Sequence, residues 1–150
     1  MPKTLIGFSK GVVVLNQLLL DWDQLQTNAA EHCQERDLFG GISTWCWLDG
    51  GHNGGHDTWI TSQALKSFVT NTHWNIVIKV TPRQVQCSQR PWIGREEKKF
   101  RSILRRSLEA QNESWRLERT LHFEDEEPDI VTHFRIIDTL TIADILCKKN

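Results

Sequence analysis

Gly7-Phe8-Ser9-Lys10-Gly11 sets a hydroxyl between two glycines, directly after the apolar run Leu5 to Phe8 and directly before residues with helical apolar spacing. A G-x-S-x-G run between a strand and a helix lets the chain turn sharply and leaves the serine Oγ exposed above a sheet. The following helix aims its free N–H groups and positive end at the same point, and the N–H of Lys10 is placed as one oxyanion donor. The competing reading gives Ser9 only the duty of capping that helix.

A serine hydroxyl needs a base, and the base needs a third group to fix its tautomer. In a strand-first arrangement the acid and the histidine follow the serine at later strand ends, acid first. His133, in "DIVTHFRIID" after the last strand, stands where the base is expected; the alternative is a helix-start histidine stacked on Phe134. His32 in a polar linker, His73 before a strand and His122 within one are weaker candidates. For the acid, "TPRQVQCSQRPWIG" offers no carboxylate before Glu96, so Asp49 at the end of "STWCWLD" is preferred. An aspartate before Gly-Gly is also ordinary turn chemistry.

The loop "DGGHNGGHD" permits a different chemistry. Asp49, His52, His56 and Asp57 supply two imidazoles and two carboxylates within nine residues, donor types suited to zinc or non-heme iron. Four glycines make a preformed cage entropically costly, so the favoured reading is a flexible rim loop that brings His52 to a pocket, with no metal or other cofactor. Phe8 and Trp92, the latter in the loop "QRPWIG", are the apolar candidates for lining that pocket. Trp22, Trp45, Trp47 and Trp74 fit core positions instead.

The elements that must position these groups follow from the changing apolar period. Leu5 to Phe8 reads as a short strand, and residues 10–25 carry the wide apolar face of a buried helix. A polar linker leads to a strand over 42–49 and the glycine-rich loop; Asp57 or Thr58 could cap a helix over 59–70. A third strand spans 74–80, an amphipathic helix 94–111, a fourth strand 114–123, and short helices lie between Thr132 and about Leu146. Alternation of strand and helix predicts an α/β fold, a mostly parallel sheet with helices on both faces.

Composition limits the partners. With 18 Lys plus Arg against 19 Asp plus Glu, and a formal charge of -1, no basic excess points to nucleic acid. Four cysteines without a Cys-x-x-Cys pair argue against a zinc knuckle or a disulfide framework. No apolar stretch approaches the ~20 residues of a membrane span, and the first residues carry no secretory or transit signal. A small molecule with an acyl group is the expected substrate.

"LIGFSKGVVVLNQLL", "WLDGGHNGGHDTWIT", "VTPRQV", "PWIGREEKKF" and "THFRI", in that order, resemble the C-terminal half of the chromosome 2 open reading frame 69 family. The resemblance runs from Leu5 to about Ile136; residues 137–150 are not matched. It implies the C-terminal half of an α/β-hydrolase fold, a serine hydrolase with its nucleophile at Ser9, and a mitochondrial location; Asp49 and His133 remain readings of the residues alone. Such a fold has strands before the elbow, so the expectation is one partial domain over 1–150: strand and elbow in 1–9, the remaining strands and helices in 10–140, a tail in 141–150. The bare edge of "TLIGF" would then be covered by an N-terminal half or by a protein partner. A non-catalytic, hydrolase-like binding protein is the alternative function.

Overall fold

Parallel strands with short apolar runs require crossover connections, and the chain supplies a helix for each. The computed structural model describes residues 1–27, 33–52, 54–70 and 72–146. Lys3–Phe8 (β1), Ile42–Leu48 (β2), Asn75–Val80 (β3) and Leu117–Leu121 (β4) form one parallel sheet in the order β1-β2-β3-β4. The helices are Gly11–Thr27 (α1), Cys33–Phe39 (α2), Ala64–Thr70 (α3), Pro82–Val85 (α4), Pro91–Glu109 (α5), Ile130–Arg135 (α6) and Ile142–Ile145 (α7), with 3₁₀ turns at Ser114–Arg116 and Ile136–Thr139.

Each strand is added on the same side of its predecessor, so crossovers of one hand bring their helices to one face. That face holds the main core. Trp45, Trp47, Ile76, Ile78 and Val80 point into it and meet Val12, Leu15 and Leu19 of α1, Leu65 and Phe68 of α3, and Phe100, Leu104 and Leu108 of α5. Alternate residues Cys46, Leu48 and Val77 point the other way and form a smaller cluster with Ile136, against which Phe8 and Leu140 pack. The helices therefore lie on both faces, but in unequal layers.

Two buried charges are held by named partners. Arg116, 2% exposed, donates to the carbonyls of Trp74 and Val69, to the Thr72 hydroxyl and to Glu113, tying the start of β4 to the end of α3. On the thin face Lys79 Nζ lies 3.2 Å from Asp144 and donates to the Thr139 carbonyl. Burial pushes the Asp144 carboxyl up, but bonds from the Thr141 N–H, Lys79 and the Thr141 hydroxyl outweigh it and hold the group below its usual range. That clasp fixes the C-terminal segment to the sheet at neutral pH and is released as acid protonates Asp144.

Several boundaries differ from the sequence expectation. The segment read as a polar linker includes α2, whose Phe39 packs on Trp22, Trp45 and Trp74. The helix expected over 59–70 begins only at Ala64, because the N–H groups of Asp57, Thr58 and Trp59 bond the Glu96 carboxylate instead of starting a helix. α5 begins at Pro91, three residues before the expected Gly94, since proline suits a first helical turn. β4 is shorter than the alternation suggested. His32 and Cys147 lie outside the described residues.

Candidate active site

Strand register decides what can meet. Phe8 pairs with Leu48, and Leu48 with Lys79, so β1, β2 and β3 finish at a common edge. Ser9, Asp49 and Thr81 are the residues immediately beyond those ends. The Ser9 N–H still bonds the Leu48 carbonyl at 2.9 Å, and the Asp49 N–H the Lys79 carbonyl at 2.8 Å, before each chain turns away. Both turns use left-handed backbone, with φ of 56° at Ser9 and 48° at Asp49, conformations that cost a non-glycine residue roughly 1–2 kcal/mol. Gly7 provides the clearance behind the first turn: a Cβ there would stand 2.7 Å from the Gly11 carbonyl and 2.8 Å from Leu15.

Asp49 is fully buried, with its carboxylate held by three specific donors. Oδ1 accepts the Thr81 N–H at 2.7 Å, and Oδ2 accepts the Thr81 hydroxyl at 2.7 Å and His133 Nδ1–H at 2.7 Å. Because Nδ1 carries the proton, a neutral His133 presents a lone pair at Nε2. That nitrogen lies 3.1 Å from Ser9 Oγ, so the hydroxyl donates to it. His133 is held in this pose by its own buried site on α6, with Phe8 at 4.8 Å and Phe134 at 5.5 Å between ring centroids. The Asp129 carboxylate accepts the Thr132 N–H and caps the helix from which His133 projects.

A second imidazole reaches the same oxygen: His52 Nε2 is 3.0 Å from Ser9 Oγ. The ends of this rim loop are tied down. Arg90 donates to the Gly51 carbonyl and to Gln84, and Gln84 packs so tightly that a Cβ on Gly51 would lie 1.8 Å from its Oε1. Glu96 holds the far end through three N–H groups. Burial first, then repulsion from Lys10, from His133 when protonated and from Arg90, keep the His52 pKa below the usual imidazole value.

The metal reading of this loop loses its geometry. Asp49 faces Thr81 and His133, His52 faces Ser9, and His56 pairs with Asp57 at 2.6 Å on the surface. Among the described residues no three such side chains converge on a common point. Trp92 belongs to the first turn of α5 and packs against the main core, whereas Phe8 stands at the site. The Lys10 N–H has no acceptor among the described residues. Ser9 Oγ bonds two imidazoles rather than a first-turn N–H of α1.

Two contributors were not singled out from the sequence. Thr81 has no catalytic spacing of its own, yet a threonine at a strand end before proline carries both the N–H and the O–H that Asp49 requires. Glu96 was assigned to its helix, and nothing local shows that its carboxylate crosses to residues 57–59. The thiols differ as well. Burial, with Asp144 nearby, pushes Cys46 up to about 12, while a bond from Arg90 lowers Cys87. Iodoacetamide is expected to alkylate Cys87 well before Cys46 in peptide mass spectrometry; equal rates would contradict this environment.

Residues 3–110 match the family model C2orf69. Mitochondrial protein C2orf69 of Homo sapiens is 44% identical over 140 residues, covering 89% of this chain and 32% of the human protein. The Mus musculus homolog of that name is 44% identical over 134 residues, with 89% and 34% covered, and the Danio rerio homolog 37% identical over 135, with 89% and 36% covered. The chain thus spans about a third of the length of these curated relatives. No solved structure matches it. With a family model covering more than half of its length, this chain belongs to the C2orf69 family.

Proposed function

We propose that this chain carries the catalytic groups of a serine hydrolase acting on an ester, thioester or amide. The observation behind the reading is the unbroken relay from Ser9 Oγ through His133 to Asp49, drawn from residues 124 and 84 positions apart in sequence. Packing alone gives no reason for an ordered imidazole between a strained serine and a buried carboxylate.

The chemistry then follows. Ser9 Oγ attacks the acyl carbon while its proton passes to His133 Nε2, and the carbonyl electron pair moves onto oxygen. Asp49 stays ionised, holding the Nδ1–H tautomer and stabilising the imidazolium. The Lys10 N–H donates to the oxyanion. Collapse breaks the bond to the leaving group, which takes the proton from Nε2; water attacks the acyl-serine by the same route in reverse. No cofactor enters these steps. Phe8 and the 57% exposed Phe134, 5.8 Å apart, offer an apolar seat for an acyl chain beside Ser9. The relatives' names carry over as a mitochondrial location, and their greater length as further sequence able to cover the open edge of β1. No described helix is long and apolar enough to cross a membrane.

Fluorophosphonate labelling tests the reading in the longest natural form of the protein, with circular dichroism as the check on folding. Wild type is expected to be labelled at Ser9 and Ser9→Ala not at all. A folded wild type that resists labelling would assign the turn to a hydrolase-like binding protein.

A further inference from the structure

We infer that His52 supplies the second oxyanion donor of the Ser9 site, an inference that rests on the serine-hydrolase reading above. A serine hydroxyl has one proton and two lone pairs. The proton is committed to His133 Nε2, because Asp49 keeps the His133 proton on Nδ1. The contact at 3.0 Å between His52 Nε2 and Ser9 Oγ is therefore the reverse kind of bond: Nε2–H of His52 donates to an Oγ lone pair. The nucleophile stands between one imidazole that takes its proton and another that gives it a hydrogen bond.

A base role for His52 fits poorly. Asp49, the carboxylate that fixes and supports the other imidazole, is already occupied by His133 and Thr81. The charged groups facing His52 are Lys10 and Arg90, joined by His133 once it has taken the Ser9 proton, and they disfavour the imidazolium a base must become. A neutral N–H donor has no such penalty. It also meets the need of the tetrahedral adduct, in which Lys10 N–H alone would face the developing charge.

The bond changes partner as the reaction proceeds. In the free protein the Nε2–H rests on Oγ. When Oγ bonds the acyl carbon, its proton goes to His133 Nε2 and the carbonyl π pair to oxygen. That oxygen is separated from Oγ by a single carbon atom, so a small rotation of the His52 ring moves the N–H from a weakened acceptor to a stronger, charged one. Collapse reverses the movement as the leaving group takes the His133 proton. The anchors on either side of the ring support this duty: Arg90 on the Gly51 carbonyl and Glu96 on residues 57–59 limit how far the loop can retreat.

His52→Ala and His52→Gln separate this from the alternatives, in the longest natural form of the protein, using a fluorophosphonate probe and p-nitrophenyl acetate. His52→Ala is expected to lower the labelling rate about 10²–10³-fold, the loss typical for one oxyanion donor. The amide N–H of His52→Gln should recover part of that loss. KM for p-nitrophenyl acetate and the midpoint of the pH profile should stay near wild type, because His133 remains the base. Labelling within about threefold of wild type, or faster than wild type, overturns the inference, as does a loss in His52→Ala that glutamine does not relieve. If wild type labels and the His52 variants match it, only this inference fails. If folded wild type does not label, the hydrolase reading fails with it.

Discussion

Asp49→Asn is expected to lower the fluorophosphonate labelling rate of Ser9 by about 10⁴-fold while the chain stays folded. The reason is a tautomer. Asparagine can keep its carbonyl oxygen on the Thr81 N–H, which leaves its NH₂ where Oδ2 now accepts from Thr81 and His133. Facing a donor, His133 must place its proton on Nε2 and present a bare Nδ1. Nε2 then donates to Ser9 Oγ and can no longer accept its proton. The shape survives because Asn is isosteric and the Asp49 N–H still bonds the Lys79 carbonyl. Probe kinetics beside a urea titration measure both halves of this claim. A loss under about tenfold would return Asp49 to the role of a strand-end turn residue.

Trp47→Ala should abolish or nearly abolish stable folding. Truncating a fully buried tryptophan typically costs about 3–5 kcal/mol. Trp47 is completely enclosed, between Trp45, Phe68 and Phe100 with ring centroids 5.4–5.8 Å apart. Its Nε1–H also donates to Asn16 Oδ1 at 3.1 Å, and Asn16 in turn donates to the Thr58 carbonyl at 2.9 Å. Alanine leaves that buried oxygen unpaired, a further cost of about 1–3 kcal/mol. The sum is comparable with the whole stability of a small domain, about 5–15 kcal/mol. Trp47→Phe largely divides the two contributions, since it keeps most of the volume while losing the hydrogen bond to Asn16. The urea midpoint should fall modestly in Trp47→Phe and collapse in Trp47→Ala. A midpoint near wild type for alanine would mean that the aromatic cluster is not the keystone of the core.

Local signals carried the strands and long helices because each is amphipathic or β-rich over its own length. "ISTWCWLD" and "WNIVIKV" were legible for that reason, as was the pairing of glycines around Ser9. The site was legible where a residue's position after a strand sufficed: Ser9 and Asp49 directly follow strand ends, and His133 lies in the segment after the last strand. What escaped depends on distant contacts. α2 holds through Phe39 against three tryptophans, and the delayed start of α3 through a carboxylate 37 to 39 residues away. The second contact on Ser9 was anticipated only as His52 near a pocket, since spacing does not reveal which atom an imidazole meets.

The unequal layers divide the molecule into two equilibria. Ser9 and Asp49 stand on strands locked into the aromatic core, but His133 rides on the six-residue α6, which belongs to the thin face. Opening that layer exposes few apolar groups, so its opening free energy is expected to lie below that of global unfolding. Hydrogen exchange is therefore expected to show the His133 amide opening without the amides of β2 and β3. On the proposed hydrolase reading, an acyl ligand seated on both Phe8 and Phe134 would bridge β1 to α6 and hold the layer closed, so that occupancy of the site would favour the closed relay.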